Sequence, residues 1–261
     1  MRLVIDCFKL IHDLIPFYYN ENFHNAFNKI ENAYIMARHK QSAKSAKKVI
    51  TISQASKADI FKYCEVNENK IVVINNACEK VNVRVEKTGK PYICAMTSSL
   101  PHKNAKGVAA SYAKYCEITD KPLDLVIIGL SDTNDFDISD DVRSKITCYK
   151  YINNNDELYK IIGGSEVFLF LSLIEGFGLP PIEAMLLRVP VICSNTSSLP
   201  EVVGNAAILV DPNDYDSVAE KLKYLLSDED SRMHLIKKGE KNISRFSWNS
   251  CSKAYWKELC Q

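Results

Sequence analysis

Apolar runs alternate with helical segments from about residue 90 onward, and this alternation constrains the fold more than any other feature of the chain. The predicted strands of this part are 92–96, 123–128, 146–149, 167–174, 189–193 and 207–210. The predicted helices are 105–117, 156–162, 199–203 and those that begin at Pro181, Tyr215, Ser231 and Ser247. Strands that are apolar on both faces and alternate with helices predict a parallel sheet covered on each side. A ligand of such a sheet binds at the carboxyl ends of its strands.

The first 88 residues carry fewer strands than the rest of the chain. A strand-like opening runs into His12, and the further predicted elements are a long helix at 22–46, a strand at 48–52, a helix at 53–64 and a strand at 71–74. Two or three strands are too few for an independent doubly wound domain. The polar stretch 79–90 is predicted to be a linker. We therefore divide the chain into a reduced α/β portion at 1–88, a complete parallel-sheet domain at 89–245 and a closing helix at 246–261.

Charge and cysteine usage exclude several classes of protein. The 33 basic and 32 acidic residues give a net charge of +1, which provides no global attraction to nucleic acid. Nine cysteines, an odd number without a Cys-x-x-Cys pair, indicate neither a disulfide framework nor a zinc site. An acidic residue at position 6 does not suit a signal peptide, and no apolar run approaches the roughly 18 residues of a membrane span. These features predict a cytoplasmic protein.

One basic segment stands out at 38–48. Lys40, Lys44, Lys47 and Lys48 are predicted to share one face of the long helix. Such a face is either solvated or a contact with an anionic membrane surface.

The segment 175–183, Glu-Gly-Phe-Gly-Leu-Pro-Pro-Ile-Glu, has the clearest pattern of a binding site. Its two glycines let the backbone approach a ligand closely, and Pro180 and Pro181 suit the first positions of a helix. A strand, a glycine turn and a helix start together form an anion site. Glu183 is predicted in the first helical turn, where a carboxylate would be repelled by phosphate and would instead bond sugar hydroxyls. The alternative is an ordinary turn whose acidic residues cap the helix.

Six segments in order resemble the retaining glycosyltransferases of family 4, the group 1 glycosyltransferases. These segments are 12–16, which begins His-Asp-Leu, the pair 49–59 and 70–76, Pro-His-Lys-Asn at 101–104, the segment 175–183, 190–204, and Phe-Ser-Trp at 246–248 with the helix that follows. The resemblance covers nearly the whole chain. It implies the GT-B architecture of two Rossmann-like domains, with residues 1–88 as a reduced acceptor-side portion, 89–245 as the donor domain and 246–261 packing back on the N-terminal portion.

The resemblance also implies roles for individual residues. Lys103 would meet the donor diphosphate, Glu175 the hydroxyls of the transferred sugar, and His12 the donor sugar near the reacting carbon; these three are the implied catalytic residues. Glu183 would bond the ribose. The remaining implied donor-binding residues are Thr97, Ser98, Asn104, Gly176, Phe177, Gly178, Leu179, Ser198 and Leu199. The resemblance implies no metal and no cofactor, and Asp135-Phe-Asp137, which imitates a metal motif of other glycosyltransferases, is predicted to lie in a loop.

The implied activity is transfer of a hexose, of mannose or glucose type, from a nucleoside diphosphate sugar. The acceptor would be a polysaccharide or a lipid-linked glycan in the synthesis of O-antigen or capsule, which would bring the protein to the inner face of the membrane. Two alternatives stay open: a nucleotide-sugar-binding subunit that needs a partner chain, and a sugar-nucleotide epimerase of the same architecture.

Three departures from the family pattern accompany the resemblance. Thr97-Ser98-Ser99 stands where relatives have a glycine and often an arginine, and Arg188 stands where a glycine is common. Several βα units also precede the His-Asp-Leu stretch in relatives. A fragment, a minimal enzyme, or a partner subunit or second copy that completes the N-terminal portion would each explain the reduced acceptor side.

Overall fold

The computed structural model describes residues 8–23, 28–78, 85, 87 and 89–260. The chain divides into two compact units. Unit 1 comprises Met1–Ala77, Ile174–Phe177 and Phe246–Gln261, and unit 2 comprises Cys78–Leu173 and Gly178–Arg245. Most of the predicted linker at 79–90 lies outside the described residues.

Unit 1 is built on a three-stranded parallel sheet in the order β1-β2-β3. Its elements begin with β1 (Phe8–Leu10), α1 (Ile15–Asn22), α2 (Lys29–Ser45), β2 (Lys48–Thr51), α3 (Gln54–Cys64) and β3 (Ile71–Val73). The register places Val49 beside both Lys9 and Ile71. Val49 is buried in a core that includes Phe17 of α1 and Ile60 of α3.

Unit 2 contains a six-stranded sheet in which every neighbouring pair is parallel. Its elements are β4 (Tyr92–Met96), α4 (Ala105–Glu117), β5 (Asp124–Ile128), α5 (Asp140–Arg143), β6 (Ile146–Tyr149), α6 (Asn155–Gly163), β7 (Val167–Phe170), α7 (Leu179–Leu186), β8 (Val191–Ser194), α8 (Leu199–Val203), β9 (Ala207–Val210), α9 (Tyr215–Ser227) and α10 (Glu229–Ile243). In the strand order β6-β5-β4-β7-β8-β9, the strands after β4 first extend the sheet on one side, and from β7 onward they extend it on the other. Such a switch point is where parallel α/β sheets bind ligands, at the carboxyl ends of the strands.

The last helix, α11 (Trp248–Leu259), belongs to unit 1. Cys251 of α11 is buried in one cluster with Ile50, Ile74 and Ala77, and Tyr255 packs against this cluster. Lys48 Nζ also lies 2.6 Å from Glu258 Oε2. The helix therefore covers apolar side chains of the small sheet and its flanking loop.

The prediction of one long helix at 22–46 is wrong, because α1 ends at Asn22 and α2 begins at Lys29. Asn28 starts the second helix, and its Oδ1 accepts a hydrogen bond of 3.0 Å from the Ile30 amide. An asparagine that bonds its own backbone in this way favours a helix start over a helix interior.

The predicted lysine face at 38–48 is also wrong for two of its members. Lys47 and Lys48 lie beyond the end of α2, and Lys48 is the first residue of β2. Lys40 and Lys44 do lie on α2, but both approach the Glu65 carboxylate, at 3.9 and 2.9 Å. The segment therefore presents less free positive charge than the sequence predicted.

Two boundaries next to the glycine turn differ from the prediction. The predicted strand 167–174 ends at Phe170, because the following residues bond to the loop at 102–104. Helix α7 begins at Leu179, two residues before Pro181, which makes Glu183 its fifth residue. The placement of Glu183 in the first helical turn is therefore wrong.

Candidate functional site

The glycine turn after β7 forms the start of α7. Gly178 adopts φ 105°, a left-handed conformation that favours glycine, and no side chain in the described residues caps the helix here. A Cβ at Gly178 would lie 2.5 Å from Leu199 Cδ2. Of the first three helical residues, Pro180 and Pro181 lack an N–H, so Leu179 supplies the amide. The positive end of the helix dipole thus coincides with an open backbone turn, an arrangement that favours an anion.

Glu183 lies one helical turn beyond Leu179 and is half-buried. Burial raises the pKa of its carboxyl above the ordinary value of 4.5. The neighbouring Ile182 and Ala184 are fully buried, and α7 packs against β7 and β8. A half-buried carboxyl on a rigid helix can accept hydrogen bonds from hydroxyl groups in a fixed direction.

Lys103 is carried by the 3-10 turn Pro101–Lys103 after β4. Its backbone carbonyl accepts a 2.6 Å hydrogen bond from Thr97 Oγ1. The carbonyl of the preceding His102, which is buried, accepts a 2.7 Å hydrogen bond from the Leu173 amide. The Lys103 ammonium lies 5.8 Å from the centroid of the Phe170 ring. Hydrogen bonds from Thr97, which follows β4, and from Leu173, which follows β7, thus hold the turn. Its ammonium group lies close to an aromatic ring at the end of β7.

The loop between β8 and α8 and the first residue of that helix provide Ser198 and Leu199, two of the predicted donor-binding residues. Ser197 adopts φ 54°, and Ser198 and Leu199 are fully buried. Ser98, after β4, is half-buried and its Oγ accepts a 3.3 Å hydrogen bond from the Leu100 amide. Leu199 is the residue that bounds Gly178, so this loop shapes the glycine turn from within unit 2.

The remaining candidate residues belong to unit 1. His12 is exposed, and its carbonyl oxygen lies 2.9 Å from Ser56 Oγ. The same hydroxyl lies 3.3 Å from the Gly176 carbonyl oxygen. A Cβ at Gly176 would lie 3.1 Å from both Asp13 Cβ and the His12 carbonyl oxygen. The backbones around His12 and Gly176 therefore meet at Ser56.

Phe177 and Glu175 complete the unit 1 part of the turn. The Phe177 ring is buried and stands edge-on to Phe246, with centroids 5.4 Å apart and planes at 89°. Glu175 is half-buried. Aromatic pairs of this geometry contribute beyond the area that they bury, so Phe246 fixes the ring at the centre of the glycine turn.

The structure thus distributes the predicted site residues over both units. His12, Glu175, Gly176 and Phe177 lie in unit 1, and Thr97, Ser98, Lys103, Asn104, Gly178, Leu179, Glu183, Ser198 and Leu199 lie in unit 2. Sequence reasoning missed Ser56, which bonds the His12 and Gly176 carbonyls, and Gly107, which lies against the Asn104 amide. The spacing Ser53-x-x-Ser56 signals only a helix start, since Ser53 caps α3 by accepting from the Ser56 amide.

Asp135 and Asp137 lie in the loop between β5 and α5, as predicted. Across the described ranges, His, Cys, Asp and Glu side chains form no group of three that could hold a metal ion. Within those ranges, too, every helix is too short or too polar to cross a bilayer.

A family model described as glycosyl transferases group 1 matches residues 78–242. The chain belongs to this family. This chain is 32% identical over 231 residues to the O-antigen chain mannosyltransferase RfbU of Salmonella typhimurium. The match covers 86% of this chain and 62% of the relative. The chain is 28% identical over 229 residues to the O-antigen chain mannosyltransferase B of Escherichia coli, with 81% and 60% covered. The chain therefore spans about three fifths of the length of these relatives.

Solved structures confirm the fold of this group 1 glycosyltransferase. A sucrose-phosphate synthase from Thermosynechococcus elongatus superposes with a TM-score of 0.79 at 19% identity, covering 98% of this chain and 67% of the other. TarM superposes with a TM-score of 0.73 at 19% identity, covering 96% and 49%. The predicted GT-B fold and the predicted family are both confirmed.

Proposed function

We propose that this group 1 glycosyltransferase transfers a hexose from a nucleoside diphosphate sugar to a glycan or lipid-linked acceptor in surface polysaccharide synthesis. The glycine turn with its left-handed Gly178 carries this proposal, because it offers an anion site at the start of α7. Mannose is the first donor sugar to test, since two relatives at 28 and 32% identity are named O-antigen chain mannosyltransferases. Glucose is the second.

The chemistry follows from the charge that develops when a glycosyl–phosphate bond breaks. The leaving diphosphate gains negative charge, and the Lys103 ammonium and the amides of the glycine turn stabilise it without a metal ion or another cofactor. Glu183 accepts hydrogen bonds from the ribose, while Glu175 and His12 orient the transferred sugar. The leaving phosphate accepts the proton of the attacking hydroxyl on the same face, so the anomeric configuration is retained. This route needs no pair of closely spaced carboxylates.

Calorimetric titration with GDP and UDP tests the donor site directly. Glu183→Ala and Lys103→Ala each remove a proposed ligand contact, and each should reduce diphosphate affinity by on the order of tenfold or more. Asp135→Ala, a change in an exposed loop, is the matched control and should bind like the wild type. Unchanged affinity in Glu183→Ala would remove the central assignment.

A second candidate function is that of a nucleotide-sugar-binding subunit that acts with another chain. In the part of the chain that the structure describes, β1 pairs with β2 and with no further strand. An edge strand of this kind can accept a strand from another polypeptide. The chain also spans only about three fifths of the relatives' length. Transfer assays of the purified chain, alone and with candidate partner chains, separate the two functions.

A lipid-linked acceptor would bring the protein to the inner face of the membrane, and this contact is part of the proposal. Sedimentation with vesicles that contain anionic lipid tests it. Recovery of the protein in the supernatant at low ionic strength would argue for a water-soluble glycan acceptor instead.

A further inference from the structure

Asn104 occupies an unusual backbone position between two helical segments. It follows the 3-10 turn Pro101–Lys103, precedes α4 and adopts φ 55° and ψ 45°. The backbone amide of Asn104 donates a 3.1 Å hydrogen bond to the Pro101 carbonyl. Asparagine tolerates this left-handed region better than most residues with a side chain. The position reverses the chain immediately after Lys103.

The side-chain amide of Asn104 is occupied by three backbone groups. Oδ1 accepts a 3.2 Å hydrogen bond from the Gly107 amide, which caps α4. Nδ2 donates to the carbonyl oxygens of Leu171 and Pro212, each at 3.1 Å. An amide nitrogen carries two hydrogens, so both donors of Asn104 are used within the protein. The side chain therefore joins the start of α4 to the segments that follow β7 and β9.

The neighbouring residues are held in the same way. Thr97 Oγ1 donates to the Lys103 carbonyl, and the His102 carbonyl accepts from the Leu173 amide. Three consecutive residues, 102–104, are thus each bonded to a segment that follows a strand of the unit 2 sheet. The backbone that carries the Lys103 side chain is fixed on both sides of it.

Gly107 has a specific steric reason to be glycine. A Cβ at this position would lie 2.4, 2.5 and 2.7 Å from Nδ2, Oδ1 and Cγ of Asn104. Gly107 is the third residue of α4, where alanine is ordinarily the better helix former. Helix propensity favours alanine at this position, but the Asn104 amide occupies the space that the alanine Cβ would need, and the residue is glycine.

We propose that Asn104 is a positioning residue that acts through Lys103, and that Gly107 is required to make room for its amide. The inference rests on the proposed function, in which Lys103 meets the donor diphosphate. A cation on a fixed backbone is already in place when the diphosphate binds, whereas a cation on a loose loop must first be ordered. Asn104 then raises diphosphate affinity without contacting the ligand through its amide hydrogens.

A double-mutant cycle measured by calorimetry with GDP and UDP tests this role. Asn104→Gly keeps the left-handed backbone and removes the amide, and should weaken diphosphate binding by on the order of tenfold. In a Lys103→Ala background the same substitution should change the affinity by less than about twofold, because the residue acts through Lys103. Asn154→Gly, which removes the asparagine cap of α6, is the matched control and should leave diphosphate affinity unchanged.

Thermal unfolding tests the steric part independently of any ligand. Gly107→Ala should lower the Tm of the wild type, because the new methyl group displaces the Asn104 amide. In an Asn104→Gly background the three atoms nearest to the new methyl group are absent, and the same substitution should raise the Tm by about 2–4 °C through helix propensity. A change of the same sign in both backgrounds would overturn the assigned contact.

The outcomes separate this inference from the function on which it rests. Absence of GDP and UDP binding by the wild type would overturn the proposed donor site and, with it, the role of Asn104. Binding by the wild type with an equal loss on Asn104→Gly, whether or not Lys103 is present, would overturn the positioning role alone. A tenfold loss that disappears in the Lys103→Ala background would support both.

Discussion

At the scale of single residues, the glycine turn depends on space as much as on backbone freedom. Gly178 combines φ 105° with a close approach to Leu199, whereas Gly89 adopts φ 95° with open space around its Cα. The two positions differ in what a methyl group would meet. They therefore separate the cost of a left-handed conformation from the cost of a steric clash.

Gly178→Ala should destabilise the protein by about 2–4 kcal/mol, the sum of a left-handed penalty and overpacking against Leu199. Gly89→Ala carries only the first cost and should destabilise by about 1–2 kcal/mol. Urea unfolding of both variants measures the difference, and Leu199→Ala should recover part of the loss in Gly178→Ala. Equal losses in the two glycine variants would contradict the clash.

Glu183 gives a residue-scale prediction about pH. Burial raises its pKa in the folded state, so the folded protein holds this proton more tightly than the unfolded chain. The free energy of unfolding should therefore fall as the pH rises from about 4.5 through the folded-state pKa. Glu183→Gln removes this titration and should be more stable than the wild type near pH 7.

Urea unfolding at several pH values between about 4.5 and 7 checks this difference. An identical pH dependence in the wild type and in Glu183→Gln would show that the carboxyl is not destabilised by burial. If the prediction holds, Glu183 costs stability in the free protein, as expected of a group kept for binding.

At the scale of elements, the sequence predicted the parallel strands well, but it predicted the ends of the elements near the site less well. Six strands of unit 2 were predicted, because buried parallel strands are apolar on both faces. The apolar run 167–174 did not show that the strand stops at Phe170. That boundary depends on hydrogen bonds to the Lys103 loop, some seventy residues away in sequence.

The same distinction applies to the candidate site. The anion-binding turn and Lys103 were predicted from local patterns and from the family resemblance, and their roles stay predictions. Ser56 was missed because its hydroxyl bonds the carbonyl of His12, which is distant in sequence. Gly107 was missed because the folded Asn104 side chain occupies the space where a Cβ would lie. A serine at a helix start and a glycine in a helix carry no sign of these contacts in the sequence.

The Phe177–Phe246 pair leads to a prediction at this scale. Phe246, just before α11, is 5% exposed, whereas Trp248, the first residue of that helix, is 57% exposed. Phe246→Ala should destabilise the protein by about 3–5 kcal/mol, because it opens a cavity beside Phe177. Trp248→Ala is the control and should stay within about 0.5 kcal/mol of the wild type in urea unfolding. Similar losses in both variants would contradict the buried pair.

At the scale of the whole molecule, the proposed donor should stabilise the fold by mass action. GDP or UDP at about 100 times its Kd should add about 2.7 kcal/mol to the free energy of unfolding. For a chain of this size the Tm should rise by roughly 5–10 °C. In the proposed mechanism Lys103 and backbone amides neutralise the diphosphate without a metal ion, so the rise should persist in EDTA and shrink in Lys103→Ala. Loss of the rise on chelation would show that a divalent cation takes part.

The division of the chain between the units has a consequence for the order of events on the ribosome. Unit 2 is complete once Arg245 has emerged, whereas unit 1 also takes Ile174–Phe177 and the residues from Phe246 onward. The last strand of its small sheet ends at Val73, and α11, which covers the sheet, begins only at Trp248. A nascent chain arrested when Arg245 has emerged and Phe246 has not should protect the large sheet from protease and leave the N-terminal strands open to cleavage.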